Sequence, residues 1–271
     1  MKKYLSRSYL AVVLSFLYLP LSVLMLFSFN DSKLRSVWTG FTLDWYKELF
    51  NNSVILDSFR NTLIVAFIAT AVATLIGTIA AIGINNMNKG LKMVVMNITY
   101  LPIINPEIVT GVSLMLLYVF MRNTLNIPIE AGFTTLILAH ITFCIPYVIL
   151  NVLPKLRQLD GSIYEAASDL GCNPIQTITR VIIPEIMPGI VAGALIAFTM
   201  SIDDFVISYF VSGPTSQTLP ITIYSMTRKR VSPEINALST IIFGVVLLIL
   251  FISNYLDIRK ETAQKALEQE D

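Results

Sequence analysis

Apolar residues in this chain fall in long unbroken runs, not in the alternating pattern of a half-buried strand or the one-sided pattern of a surface helix. A helix crossing a bilayer needs about 20 mostly apolar residues. Six stretches meet that length: 9–29, 62–84, 93–121, 131–153, 186–211 and 235–256. The first, second and last carry no charge, and 131–153 carries none but holds the single histidine, His140. Stretch 93–121 carries Glu107, and 186–211 carries Asp203 and Asp204. No small-residue cleavage site follows the first run, so it reads as a retained span and not as a removed leader. The pattern predicts an all-α integral membrane bundle of six spans. Its transmembrane body covers 9–256, between an N-terminal segment 1–8 and a charged tail 257–271.

Within the spans, Ala69, Ala73, Gly77 and Ala81 recur every four residues and make one smooth helix face. Small residues allow close backbone approach in lipid, and this stripe fits packing within the bundle or against another subunit. Pro20, Pro102, Pro106, Pro146 and Pro188 lie in the spans, and each removes a backbone donor and tends to kink its helix. Pro102 and Pro106 predict an irregular stretch in the third span. Two connections are long. The polar segment 30–60 carries Trp38, Trp45 and Tyr46 and reads as an outer interfacial segment. Segment 154–185 is too long for a turn; within it 162–171 is predicted as a short helix, ended by Gly171 and stopped by Pro174.

Composition agrees with a membrane protein: 55% of the 271 residues are hydrophobic and 14% charged, against about 25% charged in soluble domains. Disordered, fibrous and ordinary soluble classes are thereby excluded. A net charge of +1 gives no field to draw the chain to nucleic acid. Two cysteines, Cys144 and Cys172, make no disulfide framework or metal cluster alone. If both termini face the cytoplasm, eleven Lys and Arg fall inside and eight outside, a weak preference by the positive-inside rule. The run Arg228-Lys229-Arg230 counts against it. On the outer side that run fits either an acidic docking partner or lipid headgroups.

Segment 154–185 contains Glu165-Ala166-Ala167-Ser168-Asp169-Leu170-Gly171, nine further residues, then Val181-Ile182-Ile183-Pro184. This resembles the EAA loop of ABC-importer permeases, with Val181 for the usual Ile and Ile183 for the usual Leu. The resemblance implies a cytoplasmic coupling loop, hence cytoplasmic termini, with Glu165, Ala166, Ala167, Asp169, Gly171 and Pro184 engaging an ATPase. Further segments are similar to the C-type permeases of spermidine/putrescine ABC importers: Asn105-Pro106-Glu107-Ile108-Val109, His140 to Pro146, Ser201-Ile202-Asp203-Asp204, Ile223-Tyr224-Ser225-Met226, Ser232 to Leu238, Phe41-Thr42 and Trp45-Tyr46. The resemblance covers nearly the whole chain. It implies a type I importer (MetI-like) bundle in a bacterial cytoplasmic membrane. The implied partners are a second permease subunit, a cytoplasmic ATPase dimer that uses ATP and Mg, and a periplasmic or surface polyamine-binding protein. The chain itself needs no cofactor, since it has no Gly-x-x-x-x-Gly-Lys-Ser/Thr phosphate loop.

Three acids lie in the spans without one basic residue there, although a charge at a helix centre costs about 2.5–3.5 kcal/mol on insertion scales. On straight helices Glu107 lies about 21 Å along the third span and Asp203 about 26 Å along the fifth, at similar depth in the outer half. Glu107, Asp203 and Asp204 are therefore candidate ligands of a cationic substrate, the alternative being a structural hydrogen-bond network. Adjacent helix positions point about 100° apart, so one of the two aspartates lines the pathway and the other pairs or caps. Ser201 is a candidate to orient Asp204. Phe205, Tyr209 and Trp45 are weaker candidates for holding alkylammonium groups, against plain lipid or interface packing. His140 reads as a packed, hydrogen-bonded histidine and not as a proton relay. Rival readings are an importer of another small cation, an ion-coupled secondary carrier and an intramembrane enzyme, for which no catalytic cluster can be named.

Overall fold

A computed structural model describes residues 2–32, 37–229, 233–245 and 247–248. Arg230 of the basic run, Ser232 and the tail 257–271 lie outside the described residues. In chain order the helices are α1 (Lys2–Ser28), α2 (Asp44–Asn51), α3 (Ser53–Asn85), α4 (Lys89–Ile104), α5 (Glu107–Thr124), α6 (Phe133–Gln158) and α7 (Ser162–Asp169). They continue as α8 (Pro174–Gln176), a π-helical stretch Thr177–Ile182, α9 (Ile183–Asp203), α10 (Val206–Val211), α11 (Leu219–Lys229) and α12 (Glu234–Val245). The only extended pairing among the described residues is an isolated bridge between Asn30 and Phe41.

Four helical stretches are long and apolar enough to cross a membrane: Arg7–Ser28, Ser53–Asn85, Phe133–Gln158 and Pro174–Asp203. The predicted third span is not one straight helix. It divides into α4 and α5, bent by 104°. Asn105 and Pro106 are both extended there (ψ 141° and 134°), because the proline ring disfavours helical geometry at the residue before it. The predicted fifth span is also divided, at Asp204 (φ −62°, ψ 118°), which separates α9 from α10. The straight-helix depths expected for Glu107 and Asp203 do not apply. Of the predicted sixth span, α12 and residues 247–248 are described and the remainder lies outside the described residues.

The chain forms two compact units. One comprises residues 1–53 and 225–271. Within it, Trp38, Phe41 and Phe50 of the predicted interfacial segment are exposed, while Trp45 is held from inside. The Trp45 indole N–H donates to the Asn30 carbonyl at 2.7 Å, Thr39 N–H donates to Asn30 Oδ1 at 3.0 Å, and Phe29 stacks on Phe41 at 5.4 Å. Trp45 is buried. Asn52 donates to Glu234 at 2.9 Å, joining α12 to the end of α2.

The other unit, 54–224, holds the bundle core. α6 is its axis and runs unbroken through Pro146 and Pro154. Its Val148 is fully buried between two glycines. A Cβ on Gly77 of α3 would meet Val148 Cβ and Cγ1 at 2.8 Å, and one on Gly193 of α9 would meet Val148 Cα at 3.1 Å. The stripe Ala69, Ala73, Gly77 and Ala81 is thus packed inside the bundle, with all three alanines at 0% exposure. α9 offers a second four-residue series: Gly189 faces Lys155 and the Asn151 carbonyl, and the Ala197 carbonyl accepts from Cys144 Sγ at 3.4 Å. In lipid such close approach, not water expulsion, holds helices together.

The connection between α6 and α9 is shorter than the sequence implies. Helix continues to Gln158, and it resumes at Pro174. Asn173 caps the restart by accepting Gln176 N–H at 2.8 Å, while Gln176 accepts Asn173 N–H at 3.0 Å, a reciprocal capping box. Pro184 has no N–H to offer the helical ladder. Ile183 N–H reaches back five residues to the Ile178 carbonyl, and this π register absorbs the missing bond without ending the helix.

Candidate functional site

Both breaks in the apolar spans open onto one cavity of about 230 Å³. Its wall is formed by Pro102 of α4, Glu107 and Thr110 of α5, Phe143 and Tyr147 of α6, Met200 and Asp203 of α9, and Asp204 and Phe205 of the α9–α10 break. The close seating of α5 on α10 brings these elements together: a Cβ on Gly111 would meet the Phe210 ring at 2.9 Å and Ile207 Cα at 3.3 Å. All three intramembrane acids named from the sequence line this cavity. Among the described residues, no lysine or arginine pairs with any of them.

The two aspartates differ in their partners. Asp204 is buried. Its Oδ2 accepts Ser208 N–H and Ser208 Oγ–H, both at 2.7 Å, and its Oδ1 accepts Ile207 N–H at 3.3 Å. These are the first free amides of α10, so the carboxylate caps that helix across the break. Asp203 is exposed at the cavity wall. Among the described residues, no side chain and no amide of another residue clasps Asp203 or Glu107 in this way. Glu107 is the first residue of α5, where the positive end of the helix dipole favours a carboxylate.

The remaining candidates fall in different places. Ser201 does not orient Asp204 directly: its hydroxyl lies 2.7 Å from His140 Nδ1, and it does not line the cavity. The hydroxyl on Asp204 is that of Ser208, which the sequence reading did not name. Its signal is the four-residue spacing from Asp204, one helical turn. His140 is a packed, doubly bonded histidine as expected, with Nε2 2.9 Å from Ser208 Oγ. Phe205 lines the cavity and joins an aromatic group with Tyr209 (5.6 Å) and Tyr224 (4.6 Å); Tyr209 is not a lining residue. Trp45 belongs to the other unit. Thr110, Phe143 and Tyr147 were missed, since nothing in their apolar surroundings sets them apart before the helices are assembled.

The Glu-Ala-Ala segment forms α7 as predicted, with its C-terminal amides folded back (Leu170 N–H to the Ala166 carbonyl, 3.1 Å) and Gly171 at φ 81°. That left-handed geometry favours glycine. Ala167 packs inward, while Glu165, Ala166 and Asp169 are exposed. Leu170 and Ile175 flank the turn at 85% and 73% exposure. Pro184 lies at the start of α9.

Long apolar helices with a broken pair, gathered around an acid-lined cavity, are the build of a multi-pass membrane protein. Residues 73–258 match the family described as the binding-protein-dependent transport system inner membrane component, and the chain belongs to that family. It is 42% identical to the putrescine transport system permease protein PotI of Escherichia coli K12 over 249 residues, covering 91% of this chain and 88% of the relative. It is 36% identical to the spermidine/putrescine transport system permease protein PotC of the same strain, covering 95% of each chain. With PotC of Haemophilus influenzae the identity is 35%, covering 92% and 95%. The fold is similar to a bacterial ABC transporter that imports the acidic polysaccharide alginate (TM-score 0.73, 19% identity, 95% and 96% coverage). It is also similar to an amino acid ABC transporter solved with histidines (TM-score 0.53, 22% identity, 78% and 98% coverage). These likenesses make the chain a type I importer permease in fold.

Proposed function

We propose that this chain is a pathway-forming permease subunit of an ATP-driven polyamine importer. The observation that carries the reading is the convergence of Glu107, Asp203 and Asp204 on one cavity, with no basic partner among the described residues, beside the Phe143, Tyr147 and Phe205 rings. Carboxylates satisfy ammonium groups, and aromatic faces attract them as well. Asp203 and Glu107 are the substrate ligands, Asp204 the braced floor of the site, and Phe205 the adjoining aromatic face. The relatives named above as putrescine and spermidine/putrescine permeases support the solute class.

A second permease subunit completes the pathway, and a periplasmic or surface binding protein delivers the polyamine. A cytoplasmic ATPase dimer, using ATP and Mg, grips α7 through Ala166, Glu165, Asp169 and the exposed Leu170 and Ile175. Gly171 sets the turn, and Pro184 begins the helix that leads back to the cavity. Both termini face the cytoplasm in this reading. ATP-driven closure of the dimer moves α7, opens the cavity outward to the docked binding protein, and hydrolysis restores the inward-facing state.

The test is uptake of labelled putrescine and spermidine by cells lacking their own polyamine importers and expressing this chain with its cognate partners. Uptake dependent on the ATPase and on the binding protein is the expected result. An assembled complex that moves neither polyamine but does move another small cation would transfer the site to that solute.

A further inference from the structure

With Asp204 ionised and the His140 ring neutral, the hydrogen bonds of this buried group fit one arrangement of protons. The Asp204 carboxylate only accepts, so Ser208 spends its single hydroxyl proton on Asp204 Oδ2 at 2.7 Å. Ser208 Oγ then accepts, and the donor 2.9 Å away is His140 Nε2. With its proton on Nε2, the neutral ring offers the Nδ1 lone pair to Ser201 Oγ–H at 2.7 Å. The bonds run in one direction, from Ser201 through His140 and Ser208 to Asp204. His140 and Ser208 are at 0% exposure and Ser201 at 2%, so no water substitutes for a lost member.

The placement of the four residues gives the chain of bonds a role. Ser201 is on α9 and Ser208 on α10, on either side of the break that carries Asp204, and His140 on α6 holds both. The Phe143 ring, one turn along α6, stands against the His140 ring at 5.2 Å and lines the cavity. α6 then runs about 27 Å from His140 to Gln158, at about 1.5 Å per residue, and α7 follows it.

We infer that His140 is a positioning residue of the translocation site: through Ser208 it fixes the Asp204 carboxylate, and through Ser201 it makes the α9–α10 break move with α6. The inference rests on the cation-import reading above. It assigns to a residue outside the cavity control over how well the cavity holds its cation. The groups facing the imidazole are Ser201, Ser208, Asp204 (Oδ2 at 3.5 Å from Nε2) and the Phe143 ring.

The test uses the complete transporter with two readouts. In uptake, Ser208→Ala and His140→Gln each raise the polyamine KM about tenfold at nearly constant maximal rate. Ser208→Thr, which keeps the hydroxyl, returns it to within about threefold of the unsubstituted value. The Ser208→Ala/His140→Gln double variant is no worse than the more damaging single one, because both cut the same chain. Unchanged KM in complexes that still copurify with the ATPase, or additive losses, would overturn the inference. The second readout needs no solute: 15N spectra of the histidine-labelled complex, with the His140 signals identified by their loss in His140→Gln. A protonated Nε2 with bare Nδ1 is expected, and a ring protonated on Nδ1, alone or together with Nε2, would overturn the inference. If the unsubstituted transporter moves no polyamine, the functional reading falls, and the tautomer still decides the brace.

Discussion

Replacing each aspartate of the cavity by asparagine separates two roles that the sequence leaves joined. Asp203→Asn removes a carboxylate that no other described residue clasps. Its loss is felt by the arriving ammonium, and a hydrogen bond to a charged group contributes about 2 kcal/mol. That corresponds to a roughly thirtyfold rise in KM, taking 1.4 kcal/mol per tenfold. Thermal stability of the empty complex stays as it was. Asp204→Asn acts on the structure first. The amide oxygen keeps Ser208 N–H and Oγ–H, but the NH2 group then meets Ile207 N–H across the 3.3 Å contact, donor against donor. Loss of a helix cap costs about 0.5–2 kcal/mol, so the empty complex melts lower and maximal uptake falls together with affinity. The assays are uptake against polyamine concentration and thermal melting of the detergent-solubilised complex without solute. Equal uptake losses in both variants, with neither melting point moved, would refute the division of roles.

Three further outcomes follow from the geometry. Gly77→Ala drives a methyl to 2.8 Å from the buried Val148 side chain and lowers complex stability by about 1–3 kcal/mol; Val148→Ala relieves part of that loss in the double variant, whereas Gly83→Ala, with nothing within 4 Å, is harmless in melting curves. Gly171→Ala places a side chain at φ 81° at a cost of about 1–2 kcal/mol and uncouples ATP hydrolysis from uptake, and Gly171→Asn is milder; a coupled Gly171→Ala transporter argues against a rigid turn. Leu170→Ser with Ile175→Ser strips the two exposed apolar side chains beside that turn and weakens copurification of the ATPase, while the cavity's affinity for polyamine, measured by binding to the isolated permease pair, is retained.

The spans were legible because bilayer thickness imposes long apolar runs, and the break at Asn105–Pro106 was foreshadowed by its prolines. The break at Asp204 was not. Ser201-Ile202-Asp203-Asp204-Phe205 contains no glycine or proline, and the chain departs from helix there because Asp204 caps the next helix and His140 ties both sides to α6. The two ties to His140 join residues 61 and 68 positions apart. The small-residue face of α3 was visible, but its partner Val148 was not, for the same reason. For Trp45 the sequence shows only a tryptophan in a polar segment, and only the fold reveals the Asn30 carbonyl that takes up its N–H. The Glu-Ala-Ala helix was local in every respect, and its bounds were read to within two residues.

Two of the three cavity acids stand at helix beginnings: Glu107 opens α5, and Asp204 meets the first amides of α10. Each helix start carries about half a positive elementary charge, so the protein itself answers part of the negative field before any cation arrives. A carrier has reason to keep that field partial. Each 1.4 kcal/mol removed from the depth of a binding well shortens the dwell time about tenfold at constant entry rate. The interrupted spans thus act as a built-in brake on affinity, setting how soon a bound polycation leaves for the cytoplasm.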